Sequence, residues 1–421
     1  MSVHERAQSI SPGEPAKALW ISTIAFTLCF AVWTIFAIIG IRIKQELGLS
    51  EAQFGLLVGT PVLTGSVVRI VLGIWTGRYG GRLVYTVTML AAAAATFLLS
   101  YATTYAQMLI AGLGVGLAGG AFAVGVAYVS PFFPPEKQGT ALGIFGAGNV
   151  GAAVTKFAAP VVLIAWGWQA VAEIWALVLA AMAIVFWFTT TDDPAFRVRR
   201  DRKLPSKSLL QEFAPLRNAQ VWRFSLYYFF AFGGFVALSL WLPRYLIGVY
   251  GFNLEVAGMV AAAYSIPGSI FRAFGGMVSD RKGARSVMYV MLAVSAVTTL
   301  ILSLPAAPAS GSAFGITPPV FIAVIFVLGF VMSLGKAAVY KHIPAYYPEN
   351  IGAVGGIVGM MGGLGGFILP IAFGLLKDLT GLWSSCFLLL FAIVAISLIW
   401  MHLSIRQLER RGLSAPVVTA T

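Results

Sequence analysis

Twelve long apolar runs dominate this sequence, and each of them is 20 to 26 residues long. A helix needs about 20 mostly apolar residues to cross the hydrocarbon core of a bilayer, so every run can span a membrane. The composition agrees, because 59% of the 421 residues are hydrophobic and only 10% are charged, against about 25% in soluble domains. We therefore predict an all-α integral membrane protein with twelve transmembrane helices in a lipid bilayer.

The distribution of basic residues predicts the orientation of the chain. The 28 Lys and Arg exceed the 15 Asp and Glu, which gives a formal net charge of +13. Most of these bases fall in loops that share one side if both termini are cytoplasmic, as the positive-inside rule requires. The positive charge therefore indicates which loops are cytoplasmic, and we expect no nucleic-acid partner. The predicted divisions are a cytoplasmic N-tail at 1–17, a six-helix bundle at 18–189, a cytoplasmic linker at 190–220, a second six-helix bundle at 221–404 and a cytoplasmic C-tail at 405–421.

The two halves of the chain repeat each other in the same direction. One set of residues recurs 203 positions later: Gly55, Gly65, Ser66, Arg69, Gly73, Arg78, Gly80 and Arg82 match Gly258, Gly268, Ser269, Arg272, Gly276, Arg281, Gly283 and Arg285. A second set recurs at an offset of 213: Pro131, Pro135, Glu136, Gly139, Gly143, Ile144 and Gly146 match Pro344, Pro348, Glu349, Gly352, Gly356, Ile357 and Gly359. Parallel repeats of this kind are typical of transporters in which two bundles rock around a central site.

Ionisable residues inside the apolar runs are the candidate functional residues, because each costs roughly 2.5 to 3.5 kcal/mol on insertion scales. They are Arg69, Lys156, Glu173, Arg272 and Lys336. Since Arg69 and Arg272 are repeat-equivalent, we expect them to face each other where an anion offsets their repulsion. A guanidinium can donate to two oxygens of a planar oxyanion. The pair predicts an anionic substrate, and the alternative is that these arginines snorkel to the inner interface.

Four motifs carry a resemblance to known transporters. The loop 276–285, GMVSDRKGAR, resembles the GxxxDRxGxR loop of the major facilitator superfamily, and 73–82 is a degenerate copy. Glycine-rich stretches at 143–151 and 355–366, together with the two arginines, make the chain similar to the nitrate/nitrite porter family. The resemblance covers nearly the whole chain. It implies the major facilitator fold of two pseudo-symmetric six-helix bundles, in a monomer of the bacterial inner membrane.

The resemblance also implies a site for the anion. Nitrate and nitrite are the implied substrates, held between the two arginines and sandwiched by flat aromatic rings. The further substrate-binding residues implied by the family are Phe122, Asn149, Tyr228 and Phe232. Aromatic residues at helical spacing are also common in ordinary helix packing, which remains the alternative for these rings.

Conformational change is the predicted role of the glycine-rich spans and of one loop. Glycine allows helix backbones to approach and slide, although static tight packing has the same requirement. The glycines with a predicted gating role are Gly146, Gly148, Gly151, Gly359, Gly362 and Gly363. Asp280 and Arg281 are expected to latch the inner gate through ion pairs and helix-end interactions.

Lys156 and Lys336 are candidates for proton coupling. Burial and nearby arginines disfavour a protonated lysine, so either residue can carry a proton together with the anion. Such a role favours nitrate/proton symport over nitrate/nitrite exchange, and the sequence leaves both open. For Lys156, an ion pair with Glu173 in the next span is the structural alternative, because both lie at similar depth.

Three other kinds of function compete with nitrate and nitrite transport. Paired arginines also suit an antiporter of organic anions such as phosphate esters or carboxylates. An anion sensor needs a larger output module than the linker offers. An enzyme is not expected, because His4, His342 and His402 are separate from any cysteine or deep carboxylate, so no metal site, cofactor or nucleophile can be assembled.

Overall fold

The described part of the chain is helical apart from short turns and one isolated bridge between Ala306 and Ile316. The structure is a computed structural model, and it describes residues 11–202, 218–307, 315–346 and 351–410. Eleven helical stretches within these residues are long and apolar enough to cross a membrane.

One of the eleven stretches, Thr140–Thr189, is 50 residues long, which is enough for two crossings. Gly167 interrupts it with φ 87° and ψ 168°, a conformation that favours glycine. The indole Nε1 of Trp175 donates to Oγ1 of Thr155 at 3.0 Å, although 20 positions separate them. A straight helix of that length would hold the two residues about 30 Å apart. The chain therefore folds back at Gly167, and the twelve predicted crossings are confirmed.

We number the spans in chain order. They are α1 (Glu14–Leu47), α2 (Glu51–Tyr79), α3 (Gly81–Leu99), α4 (Tyr105–Phe132), α5 and α6 (residues 140–166 and 168–189), α7 (Ala219–Tyr250), α8 (Leu254–Ser279), α9 (Ala284–Leu302), α10 (Pro318–Ile343), α11 (Val354–Thr380) and α12 (Ser385–Gln407). A short helix, Pro194–Arg202, begins the predicted linker. Residues 203–217 of that linker and most of both predicted tails lie outside the described residues, so the predicted domain boundaries stay predictions.

Several spans are interrupted near their middles. The interruptions lie between Glu14–Trp33 and Phe36–Leu47 in α1, between Tyr105–Val115 and Leu117–Val129 in α4, at the 3₁₀ turn Ala147–Val150 in α5, at the π-helical turn Phe229–Gly234 in α7, and between Leu254–Ile270 and Arg272–Lys282 in α8. Helix ends leave backbone groups without intrahelical partners, and inside a membrane these groups need another partner. At two interruptions the partner lies in the same span, because the backbone N–H groups of Thr34 and Gly116 donate to the carbonyls of Phe30 and Gly112 at 3.2 and 3.0 Å.

The two halves of the chain pack most closely on the predicted outer side. A methyl group at Gly55 of α2 would collide with the Pro370 carbonyl of α11, and one at Gly258 of α8 would collide with the Lys156 carbonyl of α5. Gly55 and Gly258 are repeat-equivalent, so both contacts between the halves are formed in the same way, by a glycine packed against a backbone carbonyl. At these two positions only glycine lets the backbones approach so closely.

The contact between α2 and α11 ends halfway across the membrane. Gly73 lies 18 residues, or five full turns, after Gly55, so both glycines share one face of α2. A Cβ built at Gly73, or at Gly356 of α11, would meet no described atom within 4 Å. The two helices therefore touch on the predicted outer side and part on the predicted cytoplasmic side.

Polar contacts join the halves at the outer ends of the same helices. Glu51 at the start of α2 forms an ion pair with Arg244 of α7 at 2.5 Å. Asp378 of α11 accepts hydrogen bonds from the backbone N–H groups of Glu51 and Ala52, at 3.3 and 2.8 Å. A carboxylate at a helix N-terminus is stabilised by the unpaired N–H groups and the helix dipole. These contacts hold the predicted outer side closed.

Candidate functional site

Arg69 lies at the level where α2 and α11 part. Its side chain is buried, and its Nε donates to the Gly119 carbonyl of α4 at 3.3 Å. Its Nη1 donates to the Gly359 carbonyl of α11 at 3.2 Å, which links the two halves. Both acceptors lie on neighbouring helices within the bundle, so the guanidinium is held between helices. This placement argues against the snorkelling alternative.

Arg272 is the first residue after the interruption in α8, and its side chain is also buried. Its Nη1 atom has no hydrogen-bond partner among the described residues. A Cβ at Gly146 of α5 would lie 3.2 Å from this guanidinium, so the absence of a side chain at Gly146 leaves room for it. The guanidinium is thus in place, charged and only partly satisfied.

Aromatic rings surround both guanidinium groups. The Phe122 ring lies 5.6 Å from Cζ of Arg69 and 5.4 Å from Cζ of Arg272, so it is a neighbour of both. The Phe232 ring lies 5.3 Å from Cζ of Arg69. Tyr228 stacks on Phe232 with centroids 5.2 Å apart. Cation–π attraction partly offsets the burial of two positive charges.

Two further rings of the site, Trp33 and Tyr340, were not predicted. Trp33 of α1 lies 5.6 Å from Cζ of Arg69, and Tyr340 of α10 lies 6.0 Å from Cζ of Arg272. Tyr340 also meets the Tyr228 ring edge-on and donates from its hydroxyl to the Gly355 carbonyl at 3.0 Å. The sequence carried one signal for Tyr340, its position one helical turn after Lys336.

Asn149 is completely buried, and neither its Nδ2 nor its Oδ1 has a partner among the described residues. It lies in the 3₁₀ turn Ala147–Val150. Residues three apart eclipse one another in a 3₁₀-helix, so Asn149 shares a face with Gly146, which packs on Arg272. An unsatisfied buried amide is costly, which makes this side chain a candidate ligand of the anion.

The structural alternative for Lys156, an ion pair with Glu173, does not form among the described residues. Lys156 is buried, and its Nζ donates to the Ser265 hydroxyl of α8 at 2.5 Å. The Ser265 hydroxyl in turn lies 3.1 Å from that of Ser239 in α7. Equal depth in adjacent spans suggested the pair, but the face of α5 that carries Lys156 packs on the other half of the chain.

The glycines with a predicted gating role all lie at close helix contacts. Those of α5 pack on Arg272 and on α1, and those of α11 pack on aromatic rings and on Ser66 of α2. The contacts are Gly146 with Arg272, Gly148 with Phe26, Gly151 with Thr27, Gly359 with Tyr340, Gly362 with Tyr228 and Gly363 with Ser66. Their role in gating stays a prediction.

The predicted inner latch can be placed only in part. Arg281 is exposed near the inner end of α8, while the side chain of Asp280 lies outside the described residues. No group of three His, Cys, Asp or Glu that could hold a metal ion occurs in the described part of the chain.

Comparison with known proteins supports this architecture. The sequence model of the Major Facilitator Superfamily matches residues 21–316 and 254–417. The chain is 41% identical to the probable nitrate/nitrite antiporter NarK1 of Thermus thermophilus, over 93% of this chain and 92% of that protein. It belongs to the nitrate/nitrite porter family of the major facilitator superfamily.

Two further porters of the family match at lower identity. The chain is 33% identical to the probable nitrate/nitrite transporter NarK2 of Mycobacterium tuberculosis, over 86% of this chain and 88% of that one. It is 30% identical to the nitrite extrusion protein of Bacillus subtilis, over 91% and 94%. These relatives are transporters, which confirms that the chain is not an enzyme.

Solved structures share the fold of this porter. A bacterial homologue of the human lysosomal transporter Spinster, in an inward-facing conformation, superposes with a TM-score of 0.72 at 16% identity, over 94% of this chain and 98% of that one. A mutant of the nucleoside transporter NupG gives a TM-score of 0.71 at 14% identity, over 91% and 99%. At such identities the likeness concerns the fold alone.

Proposed function

We propose that this porter moves nitrate and nitrite across a bacterial inner membrane by alternating access, with the anion bound between Arg69 and Arg272. The buried Nη1 of Arg272, which has no partner within the described ranges, carries this proposal. No described carboxylate forms an ion pair with either arginine, so two buried positive charges share one site. A bound anion offsets that charge and accepts the unused donor. The printed names of the Thermus and Mycobacterium relatives support nitrate and nitrite as the anions.

The rings around the arginines favour a small, flat anion over an organic one. Phe122 contacts both guanidinium groups, and Tyr228 and Tyr340 pack directly on each other. Nitrate can stack between such rings while its oxygens accept hydrogen bonds in the plane. An organic phosphate ester needs volume that these ring contacts occupy.

Exchange of nitrate for nitrite is the mode that the fixed charge of the site favours. Arginine stays protonated at every physiological pH, so an empty site retains both positive charges. Closing the halves around the empty site brings unscreened like charges together, which is unfavourable. Each anion that leaves must then be replaced by another before the halves can close.

Nitrate/proton symport is the second candidate, and the two buried lysines favour it. Lys156 and Lys336 are both shielded from solvent, and neither has a carboxylate partner among the described residues. Lys156 bonds to a hydroxyl, which can act as donor or acceptor. The contact with Ser265 can therefore form with either a charged or a neutral lysine, as a proton carrier requires.

The same proposal sets the orientation and assembly state. We place both termini in the cytoplasm because the basic loops collect on that side, so the site opens to the cytoplasm. All substrate ligands come from one chain, and a monomer is therefore sufficient for transport.

Flux into liposomes tests the proposal. Purified protein should take up labelled nitrate when nitrite is inside, and an imposed pH gradient should change the rate little if exchange is right. Accumulation driven by protons without internal nitrite would instead establish symport. No nitrate or nitrite flux under either condition would refute the transport proposal.

Charge-conserving variants test the site itself. Arg69→Lys and Arg272→Lys should each lower kcat/KM for nitrate by about 10- to 100-fold, the loss expected for one charge-assisted hydrogen bond. Arg42→Lys is the matched control, because Arg42 is exposed and pairs with Glu46 on its own helix. Wild-type kinetics in either site variant would contradict anion binding between the arginines.

A further inference from the structure

The two repeat-equivalent arginines lie in helices that differ in continuity. Arg69 lies inside α2, which runs without interruption from Glu51 to Tyr79. Arg272 follows Phe271, whose φ of −73° and ψ of 3° end the outer segment of α8. The direction of the inner segment, and hence the position of Arg272, depends on what holds this interruption.

Lys336 of α10 binds at the interruption. Its Nζ donates to the carbonyl of Gly268, which lies in the last turn of the outer segment and four residues before Arg272. Carbonyls in the last turn of a helix lack intrahelical donors and carry the negative end of the helix dipole. A lysine ammonium is therefore a suitable cap for this helix end.

A third helix completes the cap. The Lys336 Nζ lies 3.4 Å from the centroid of the Phe235 ring in α7. The same ring packs against Gly268, where a side chain would collide with it. Lys336 is completely buried, and among the described residues no carboxylate pairs with it. The helix end and the ring face are thus the groups that offset its charge.

We propose that Lys336 is a positioning residue for Arg272, which it holds at the substrate site by capping the end of the outer segment of α8. This inference rests on the proposed function, because it takes Arg272 to be an anion ligand. Arg69 needs no such cap, since its own helix is continuous. The C-terminal half of the site is therefore adjustable, while the N-terminal half is fixed.

Spin labels across the interruption test the structural part of the inference without substrate. The labels are attached to Met259→Cys and Met277→Cys, two exposed positions on the outer and inner segments of α8, while the native cysteines are buried. Lys336→Met should shift and broaden the distance distribution, and Lys336→Arg, which retains a donor and the charge, should restore it. An unchanged distribution in folded Lys336→Met would overturn the proposal.

A double-mutant cycle on nitrate affinity tests the functional part. We compare the nitrate Kd of each double variant with the value expected if the two single effects multiply. The double variant of Lys336→Met and Arg272→Lys should differ from that value by about fivefold or more, whereas the double variant of Lys336→Met and Arg69→Lys should agree with it within about twofold. Equal coupling to both arginines would show a general structural role and reject the assignment.

The two measurements also separate this inference from the proposed function. If wild-type protein fails to bind nitrate, the proposed substrate is wrong, and the label distances still report whether Lys336 holds the interruption. If nitrate binds but Lys336→Met leaves both the distances and the Arg272 coupling unchanged, only the positioning role fails.

Discussion

At the scale of single residues, the site is defined by groups that the protein leaves unsatisfied. Arg69 donates to two backbone carbonyls, whereas Nη1 of Arg272 has no partner among the residues that the structure describes. Neither polar side-chain atom of Asn149 has a partner in the described part of the chain. Because unpaired buried polar atoms cost stability, the unsatisfied atoms of Arg272 and Asn149 indicate groups kept for a ligand.

Replacing Asn149 should separate stability from activity. Asn149→Leu removes two unsatisfied polar atoms and keeps the number and branching of the side-chain heavy atoms, so we expect the melting temperature of the ligand-free protein to stay the same or rise while nitrate uptake falls by about 10-fold or more. Thermal melts and liposome uptake measure the two effects. Thr155→Val is the contrasting control, because it breaks the bond from Trp175 and should lower the melting temperature. A large loss of stability in Asn149→Leu would contradict a ligand role.

At the scale of elements, α2 and α8 carry the same motif but fold differently. Gly55 and Gly258 make equivalent close contacts with the other half, yet α2 is continuous and α8 is broken at Phe271. The repeat thus determines where helices touch, and neighbouring side chains such as Lys336 determine how each helix continues.

Alanine at two glycines of α2 should act in opposite directions. Gly55→Ala collides with the Pro370 carbonyl and should open the outer side, at a cost of about 1 to 3 kcal/mol. Gly73→Ala meets no described atom within 4 Å, so the present conformation tolerates it. The added methyl group should hinder closure of the cytoplasmic side, where the same face must meet α11.

Both predictions can be tested by labelling cysteines introduced at each membrane face with a thiol reagent that does not cross the membrane. Gly55→Ala should increase labelling from the outside and Gly73→Ala should increase it from the cytoplasm. Similar shifts in both variants would show that the two ends of α2 do not alternate.

At the scale of the whole molecule, the outer side is sealed by contacts that cross the two halves. Glu51 pairs with Arg244, and Asp378 caps the N-terminus of α2. Both contacts must break when the outer side opens. Their strength therefore sets part of the balance between the two faces of the transporter.

Removing the charge of Glu51 should shift this balance outward. Glu51→Gln leaves the half-buried Arg244 without an opposite charge beside it, and we expect a stabilisation of about 1 to 3 kcal/mol to be lost from the closed outer side. Spin labels at Leu47→Cys and Leu379→Cys, exposed near the outer ends of α1 and α11, should then report a longer distance. Arg42→Gln breaks only an exposed pair within one helix and should leave the distance unchanged.

Much of the fold and the charge of the site followed from the sequence. The thickness of the bilayer sets the length that an apolar run needs to cross it. The lengths of the apolar runs therefore predicted all twelve crossings, including the two that Gly167 joins. The repeat offset predicted that Arg69 and Arg272 would meet around one region, and Phe122 indeed neighbours both. Span length and the repeat depend only on the order of residues along the chain, so the sequence alone is enough to predict them.

The partners of individual side chains were decided only in the tertiary structure. Lys156 bonds to Ser265 of α8 and not to Glu173 at equal depth, and Tyr340 enters the site although only its position one turn after Lys336 marked it in the sequence. Which groups meet depends on how helices rotate and pack, and packing differs between the two halves even where their sequences repeat. The sequence by itself thus determined the twelve spans, the repeat of the two halves and the two positive charges of the site. The packing of α7, α8, α10 and α11 decided which hydrogen-bond donors of the site are left for a ligand and which side of the transporter is closed.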